Sequence, residues 1–217
     1  MNKLLNINNL VYNIYSYIDI YDIINYSLIN KINKINLLNY KDNNIYELSL
    51  FDYYYSKIWT NLKFSLNLSF SKINNVDLNK FNKFYKLNLS CCYNITNVSI
   101  LKNVKILILL GCRNITNIMG LGLQKYLDLS YCHKINNIIN LNNVHELILR
   151  DCSNLYYLPY NMKNYKLNIS YCYNIHDITP LINIKHLYIY ECYNISDFQI
   201  NVLKYNKVNI YSNFINS

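Results

Sequence analysis

A cysteine recurs every 20 residues through the carboxyl-terminal part of this 217-residue chain. A fixed period of about 20–29 residues indicates one small structural unit repeated along an axis. Each unit is too small to bury an apolar face alone, so neighbouring units must stack to form a common core. We therefore expect a chain of this kind to act through an exposed surface and not through a catalytic cleft. The cysteines of the series are Cys92, Cys112, Cys132, Cys152, Cys172 and Cys192.

Apolar residues occupy fixed columns relative to these cysteines. They stand five and three residues before each cysteine, and three and six residues after it. Apolar residues at alternate positions predict a strand with one buried face, and such strands stack into a parallel sheet over a continuous core. The four columns are Leu87, Leu107, Leu127, Leu147, Leu167 and Leu187; Leu89, Leu109, Leu129, Leu149, Ile169 and Ile189; Ile95, Ile115, Ile135, Leu155, Ile175 and Ile195; and Val98, Ile118, Ile138, Leu158, Ile178 and Phe198.

The unit L-x-L-x-x-C-x-N-I-x-x-I-x-x-L resembles the leucine-rich repeat, with cysteine in that repeat's Asn/Cys column. Incomplete units flank the series, so the resemblance extends over roughly residues 62–213. It implies an α+β fold: a curved leucine-rich-repeat solenoid over residues 62–217, with a parallel sheet on its concave face. The flanking units are Leu66, Leu68, Ile73 and Val76 upstream, and Val208 and Ile210 downstream.

We interpret the cysteine column as part of the core. A small side chain with a weakly donating S–H suits the point where the chain leaves the sheet, because it can bond a loop carbonyl there. Metal ligands must converge, whereas a ladder of parallel side chains does not. The same parallel direction, and a start that does not resemble a secretory signal, argue against disulfides. Cys91 is the exception, in a column expected at or near the surface with Gly111, Tyr131, Asp151, Tyr171 and Glu191.

Composition and motifs mainly indicate which classes of function this chain is not expected to have. The net charge is +9, but nearly all basic residues are lysines that are spread through the sequence. We therefore expect no basic stripe of the kind that nucleic-acid binders carry. No apolar run reaches the roughly 20 residues needed to cross a bilayer. With three glycines and no phosphate-binding loop or paired nucleophile and histidine, we predict no enzyme, cofactor or metal ion, and a cytosolic or nuclear location.

Residues 1–61 break the period and are predicted to form a short helical module. Val11, Ile14 and Ile18 have helical spacing, and Asp19 or Asp22 is placed to cap a second helix. A solenoid needs its open end covered, so one interpretation is a cap.

The segment of residues 9–31 also resembles the F-box. The run from Ile14 to Lys31 follows the central pattern of that motif, although Asn6-Ile7 replaces its leading Leu-Pro and Ile32-Asn33 replaces its Arg-Trp. The resemblance implies docking on the adaptor subunit of a cullin-type ubiquitin ligase, an arrangement found in substrate receptors that join an F-box to leucine-rich repeats. The docking residues carried over by position are Leu10, Ile14, Ile18, Ile23 and Leu28.

The positions six, four and two before each cysteine alternate with buried leucines and face outward, on the implied concave side. Apolar and aromatic residues gathered on such a face indicate a surface that binds a protein target. The expected target-binding residues are Ile106, Ile108, Leu110, Tyr126, Asp128, Ile148, Arg150, His186, Tyr188 and Tyr190.

Three functional interpretations follow. The first is an F-box-like substrate receptor that links a target to a ubiquitin ligase. The second is a plain leucine-rich-repeat binding or decoy module whose helices only cap the solenoid. The third is a lysine-dependent binder of nucleic acid or an anionic surface. The short cysteine units, the F-box-like start and a composition that indicates AT-rich coding together resemble repeat families of large DNA viruses, such as insect poxviruses, which implies a host protein as target.

Overall fold

The computed structural model describes residues 36–37, 65–82 and 84–213. These residues contain nine strands that form one parallel sheet, in which each strand pairs with the next along the chain. The strands are β1 (Asn36–Leu37), β2 (Ser65–Asn67), β3 (Lys86–Asn88), β4 (Ile106–Ile108), β5 (Tyr126–Asp128), β6 (Glu146–Ile148), β7 (Lys166–Asn168), β8 (His186–Tyr188) and β9 (Asn209–Tyr211). Short 3₁₀ turns at Asp77–Lys80, Ser99–Asn103, Ile139–Leu141 and Thr179–Leu181, and the helix α1 (Asp197–Tyr205), lie in the connections.

The register of the sheet follows the sequence period. Leu87 lies beside Leu107, and Leu107 lies beside Leu127, with the same relation continuing to β8. Because neighbouring strands are about 4.8 Å apart, equivalent residues of successive units stack into ladders. The predicted open parallel sheet is confirmed, and this one-strand-per-period arrangement is compatible with a repeat solenoid.

The predicted core columns are buried. The apolar residues five and three before each cysteine, and the cysteines themselves, are at most 1% exposed. Ile195, in the last unit, is only partly buried against the same core. Full burial of an aliphatic side chain contributes about 1.5–3 kcal/mol. Stacked columns of such residues therefore account for a stable sheet that is built from strands of only three residues.

Two of the predicted core residues are wrong. Val76 is 76% exposed, and the following 3₁₀ turn buries Leu78 in its place. Phe198 is 73% exposed, because the last unit forms α1, which buries Ile200 and Leu203. Both errors fall at an end of the regular array, where the connection between strands changes its length or conformation.

The two ends of the sheet differ from the regular units. Downstream, Ile210 lies beside Leu187, while Val208 is buried one residue before β9. Upstream, β1 pairs with β2, so the sheet includes two residues of the segment predicted as a helical module. The F-box-like segment of residues 9–31 lies outside the described residues, as do its predicted docking residues.

Each cysteine of the series ties its unit to the preceding one. Sγ of Cys112 donates a hydrogen bond to the carbonyl of Leu89 at 3.0 Å. The other five cysteines make the equivalent bond at 3.0–3.3 Å. Burial raises the pKa of the Cys112 thiol to about 12, so the thiol stays protonated and serves as a donor. The predicted role of the S–H is confirmed, although the acceptor lies at the end of a strand.

The residue before each cysteine has a left-handed backbone, which the sequence did not indicate. The φ angles in this column run from 54° at Asp151 to 73° at Gly111, and Gly111 is its one glycine. A left-handed conformation costs an L-residue about 1–2 kcal/mol, and the packing of the stacked strands offsets that cost in the other units. Cys91 is partly exposed, as predicted for this column.

Candidate interaction surface

The candidate site is the outward side of strands β3–β8, which we call the open face. It consists of the residues six, four and two before each cysteine. From β4 to β8 every strand begins with a partly exposed residue, followed by a buried leucine. All ten residues predicted to contact a target lie on this face, but the structure gives them different surroundings.

Small polar residues cover the open face in alternate units. Ser90, Ser130 and Ser170 are buried there, whereas the units between them place Leu110, Arg150 and Tyr190 at the same column in exposed positions. Each serine backbone N–H donates to the residue two positions earlier, an Asn or Asp side chain, at 2.9–3.0 Å. The large side chains at this column therefore stand above the level of the buried serines in the neighbouring strands.

Asp128 is less available to a partner than the sequence indicates. It is 8% exposed, and its Oδ1 accepts hydrogen bonds from the backbone N–H of Ser130 at 2.9 Å and from the Ser130 hydroxyl at 2.6 Å. The carboxylate therefore stabilises the end of β5. Asp128 lies on the open face, as predicted, but its carboxylate is already hydrogen-bonded to Ser130 of the same unit.

Five of the predicted residues form an apolar patch across β4, β5 and β6. Ile106 lies beside Tyr126, and Asp128 separates Ile108 from Ile148 in the next column. Leu110, at the end of β4, is 37% exposed. Burial raises the pKa of the Tyr126 hydroxyl, which keeps that ring neutral. We define the apolar patch as Ile106, Ile108, Leu110, Tyr126 and Ile148.

A second group, which we call the aromatic cluster, occupies the carboxyl-terminal strands. Nδ1 of His186 lies 3.1 Å from the Tyr211 hydroxyl, and its Nε2 lies 3.3 Å from the Tyr165 hydroxyl. The Tyr188 and Tyr211 rings stack with centroids 4.4 Å apart. The ammonium of Lys166 lies 5.1 Å from the centroid of Tyr188. The cluster comprises His145, Tyr165, His186, Tyr188, Tyr190 and Tyr211.

Half of the aromatic cluster was not predicted. The His145 and Tyr165 rings stack at 4.9 Å because these residues share the column seven before the cysteine. Inspection of that column would have found both. The 20-residue period does not indicate Tyr211, because the connection that contains α1 is longer than the others. This connection places Tyr211 beside Tyr188. Arg150 has its guanidinium 4.4 Å from the ring centroid of Tyr171, a residue of the left-handed column.

The lysines were expected to be spread without a stripe, but five of them gather at one edge of the sheet, which His145 and Glu146 interrupt at β6. The columns seven and six before the cysteine hold five lysines and one carboxylate, that of Glu146. Backbone hydrogen bonds join the neighbours of this edge, as between the Lys125 N–H and the Lys105 carbonyl at 2.8 Å. We call these five residues the lysine edge: Lys86, Lys105, Lys125, Lys166 and Lys185.

The described residues show little that is suited to catalysis or to metal binding. Within them, no group of three or more His, Cys, Asp or Glu side chains is placed to hold a metal ion. Ser153 Oγ lies 3.2 Å from Nδ1 of His133. These residues occupy the same column in successive units, so the contact follows from the regular stacking of the repeats. No helix in the described part of the chain is long and apolar enough to cross a membrane.

No protein-family model matches the chain, and no curated protein matches it. Function is therefore inferred from the open face and from the sequence patterns.

Proposed function

We propose that this chain is a non-enzymatic interaction protein whose open face binds a protein target. The observation that supports this most directly is the exposure of large apolar and aromatic side chains on a regular sheet. Leu110 is 37% exposed beside the buried Ser90 and Ser130, and Tyr190 is 38% exposed beside the buried Ser170. Exposed apolar clusters mark interaction sites, and tyrosine and arginine are frequent binding anchors.

The proposal extends to the class of protein. We interpret the 20-residue units as short leucine-rich repeats, with the open face as their concave side. The sequence pattern and the parallel sheet both support this interpretation. The F-box-like residues 9–31 then make the chain a substrate receptor, which brings a target to a cullin-type ubiquitin ligase. The chain contributes the placement of the target, and the ligase supplies the chemistry.

A pull-down with the purified ligase adaptor tests the substrate-receptor proposal. The full-length protein is compared with Ile18→Asp, which places a charge in the predicted docking helix, and with Ile182→Asp. Ile182 is 43% exposed and lies at the end of a 3₁₀ turn in the repeats. Circular dichroism and urea unfolding establish that each variant is folded. We expect wild type and Ile182→Asp to bind the adaptor, and folded Ile18→Asp to lose binding.

The result also separates the two protein-binding interpretations. No adaptor binding by the wild-type protein would refute the ligase role and leave a plain binding or decoy module. Equal binding by folded Ile18→Asp would place the contact elsewhere on the chain.

A further inference from the structure

The lysine edge is the strongest feature that the proposed function does not yet use. Lys105, Lys125 and Lys185 are exposed in the column immediately before the strands, and Lys86 is exposed in the column that begins the strands. Lys105 and Lys125 are successive members of one column and are one strand spacing apart, about 4.8 Å at the backbone. Lys185 lies in the same column three units further on. The ammonium groups of these lysines therefore concentrate positive charge along one edge of the open face.

The opposite edge of the open face has a different charge. The columns two and one before the cysteine contain Arg150 together with the carboxylates of Asp151 and Glu191. Of the two edges of the open face, only the one where the strands begin therefore carries a net positive charge. A partner with negative charge gains Coulomb energy there, and a positive partner is repelled.

The lysine edge is continuous with the apolar patch. Lys105 immediately precedes Ile106, and Lys125 immediately precedes Tyr126, both of which belong to the patch. One ligand can therefore place acidic groups on the lysines and apolar side chains on the patch at the same time. We propose that the target binds through an acidic peptide segment that also carries bulky apolar residues. This inference rests on the proposed function, because it specifies the partner of the same open face.

The aromatic cluster favours a peptide over a single-stranded nucleic acid. Nucleic-acid binding by aromatic residues needs ring faces that are free to stack on bases. Here Tyr188 is stacked on Tyr211 and has the Lys166 ammonium over its ring, and the His145 and Tyr165 rings stack on each other. At least one face of each of these rings is therefore occupied within the cluster, which leaves less ring surface for stacking on bases.

Fluorescence anisotropy with the full-length protein tests the inference. The probe is a labelled synthetic peptide that repeats Glu-Leu-Glu-Ser, and its matched control repeats Gln-Leu-Gln-Ser. A labelled oligothymidine provides the nucleic-acid arm. At about 50 mM salt we expect the glutamate peptide to bind about tenfold more tightly than either other probe, and to weaken as salt screens the charges.

Two double variants test where the acidic peptide binds. Lys105→Glu with Lys125→Glu reverses the charge at two of the five positions of the lysine edge. Lys72→Glu with Lys134→Glu makes the same charge change at exposed residues outside the open face. We expect the first to weaken binding about tenfold and the second less than about twofold, since each exposed charge pair contributes modestly.

Equal losses in the two double variants would reduce the effect to net charge and overturn the inference. Tighter binding of oligothymidine, or no preference for glutamate over glutamine, would do the same. The adaptor pull-down does not depend on these lysines. Adaptor binding without peptide binding would therefore refute only this inference, and peptide binding without adaptor binding would refute only the ligase role.

Discussion

The apolar patch and the aromatic cluster are built by different rules. The apolar patch is assembled from residues that share columns in three regular units, so each contact repeats the 20-residue period. The aromatic cluster also joins residues of different columns, and His186 contacts Tyr211 across 25 residues of sequence. Contacts between equivalent residues of successive units can therefore be predicted from the period of the sequence. Contacts between different columns cannot, because they depend on where an irregular connection places the next strand.

The largest expected effect tests whether the two regions share one scaffold. Leu147→Ala in β6 removes a fully buried side chain beneath the boundary between them. We expect the free energy of unfolding to fall by about 2–5 kcal/mol, from lost transfer energy and the remaining cavity. Leu110→Ala, at a partly exposed position, is the control and should cost less than about 1 kcal/mol. Urea unfolding measures both, and similar losses would contradict the predicted core.

The backbone of the apolar patch provides the second test. Gly111→Ala at the end of β4 adds a Cβ at φ +73°, which would lie 3.0 Å from Cys91 Sγ. We expect a loss of about 1–2 kcal/mol in the free energy of unfolding. In a Cys91→Ala background the steric part of the loss should disappear while the backbone part remains. A Gly111→Ala protein as stable as wild type would show that this column is not strained.

The cysteine ladder underlies both regions and should respond to pH in the same way in each. Burial raises the pKa of Cys112, beneath the patch, and of Cys172, beneath the cluster, to about 12 in both cases. The thiols are neutral when protonated, so their contribution is fully present below the unfolded pKa and is lost as pH rises through the folded pKa. We expect stability to fall between about pH 9 and 12, by about 1 kcal/mol per thiol per pH unit.

Urea unfolding between pH 8 and 10.5 checks this, with Cys112→Ala and Cys172→Ala as matched variants. Each variant should be less stable than wild type at about pH 8 and should lose stability less steeply above about pH 9. A marked difference between the two slopes would show that the ladder does not serve the two regions equally. Slopes unchanged from wild type would contradict the burial of these thiols.

The smallest effect sharpens the comparison at the cluster itself. Tyr211→Phe removes the hydroxyl that lies 3.1 Å from Nδ1 of His186 but keeps the ring that stacks on Tyr188. We expect a loss of about 0.5–1.5 kcal/mol in the free energy of unfolding. Tyr157→Phe, at a residue that is 83% exposed, is the control and should change stability by less than about 0.5 kcal/mol. The NMR signals of His186 would report the lost contact directly, and unchanged signals would contradict it.

Most of the repeating core could be predicted because its columns carry a strong signal. Each unit has the same apolar residues at the same spacing, and a parallel sheet is the simplest way to bury such alternating positions together. The errors at Val76 and Phe198 arise at units whose connections differ in length or conformation. Residues of one sequence column have equivalent surroundings only where the backbone conformation repeats, and at these ends it does not.

The candidate site was predicted less completely for a related reason. Outward positions follow from the strand alternation, so all of the apolar patch was found. Burial of Asp128 could not be read in the same way, because it depends on the hydrogen bonds from Ser130 and on the larger side chains in neighbouring strands. The lysine edge was available in the sequence, but it emerges only when the lysines are aligned by unit.

By itself, the sequence determined the unit, the strands, the buried columns and the donor role of the cysteines, because these follow from local spacing and from the need to bury apolar surface. Only the tertiary structure decided the left-handed column, the position of Tyr211 beside Tyr188 and the burial of Asp128. The physical reason is that stacking brings residues one period apart within about 5 Å of one another, and the resulting contacts override the preferences of each residue alone.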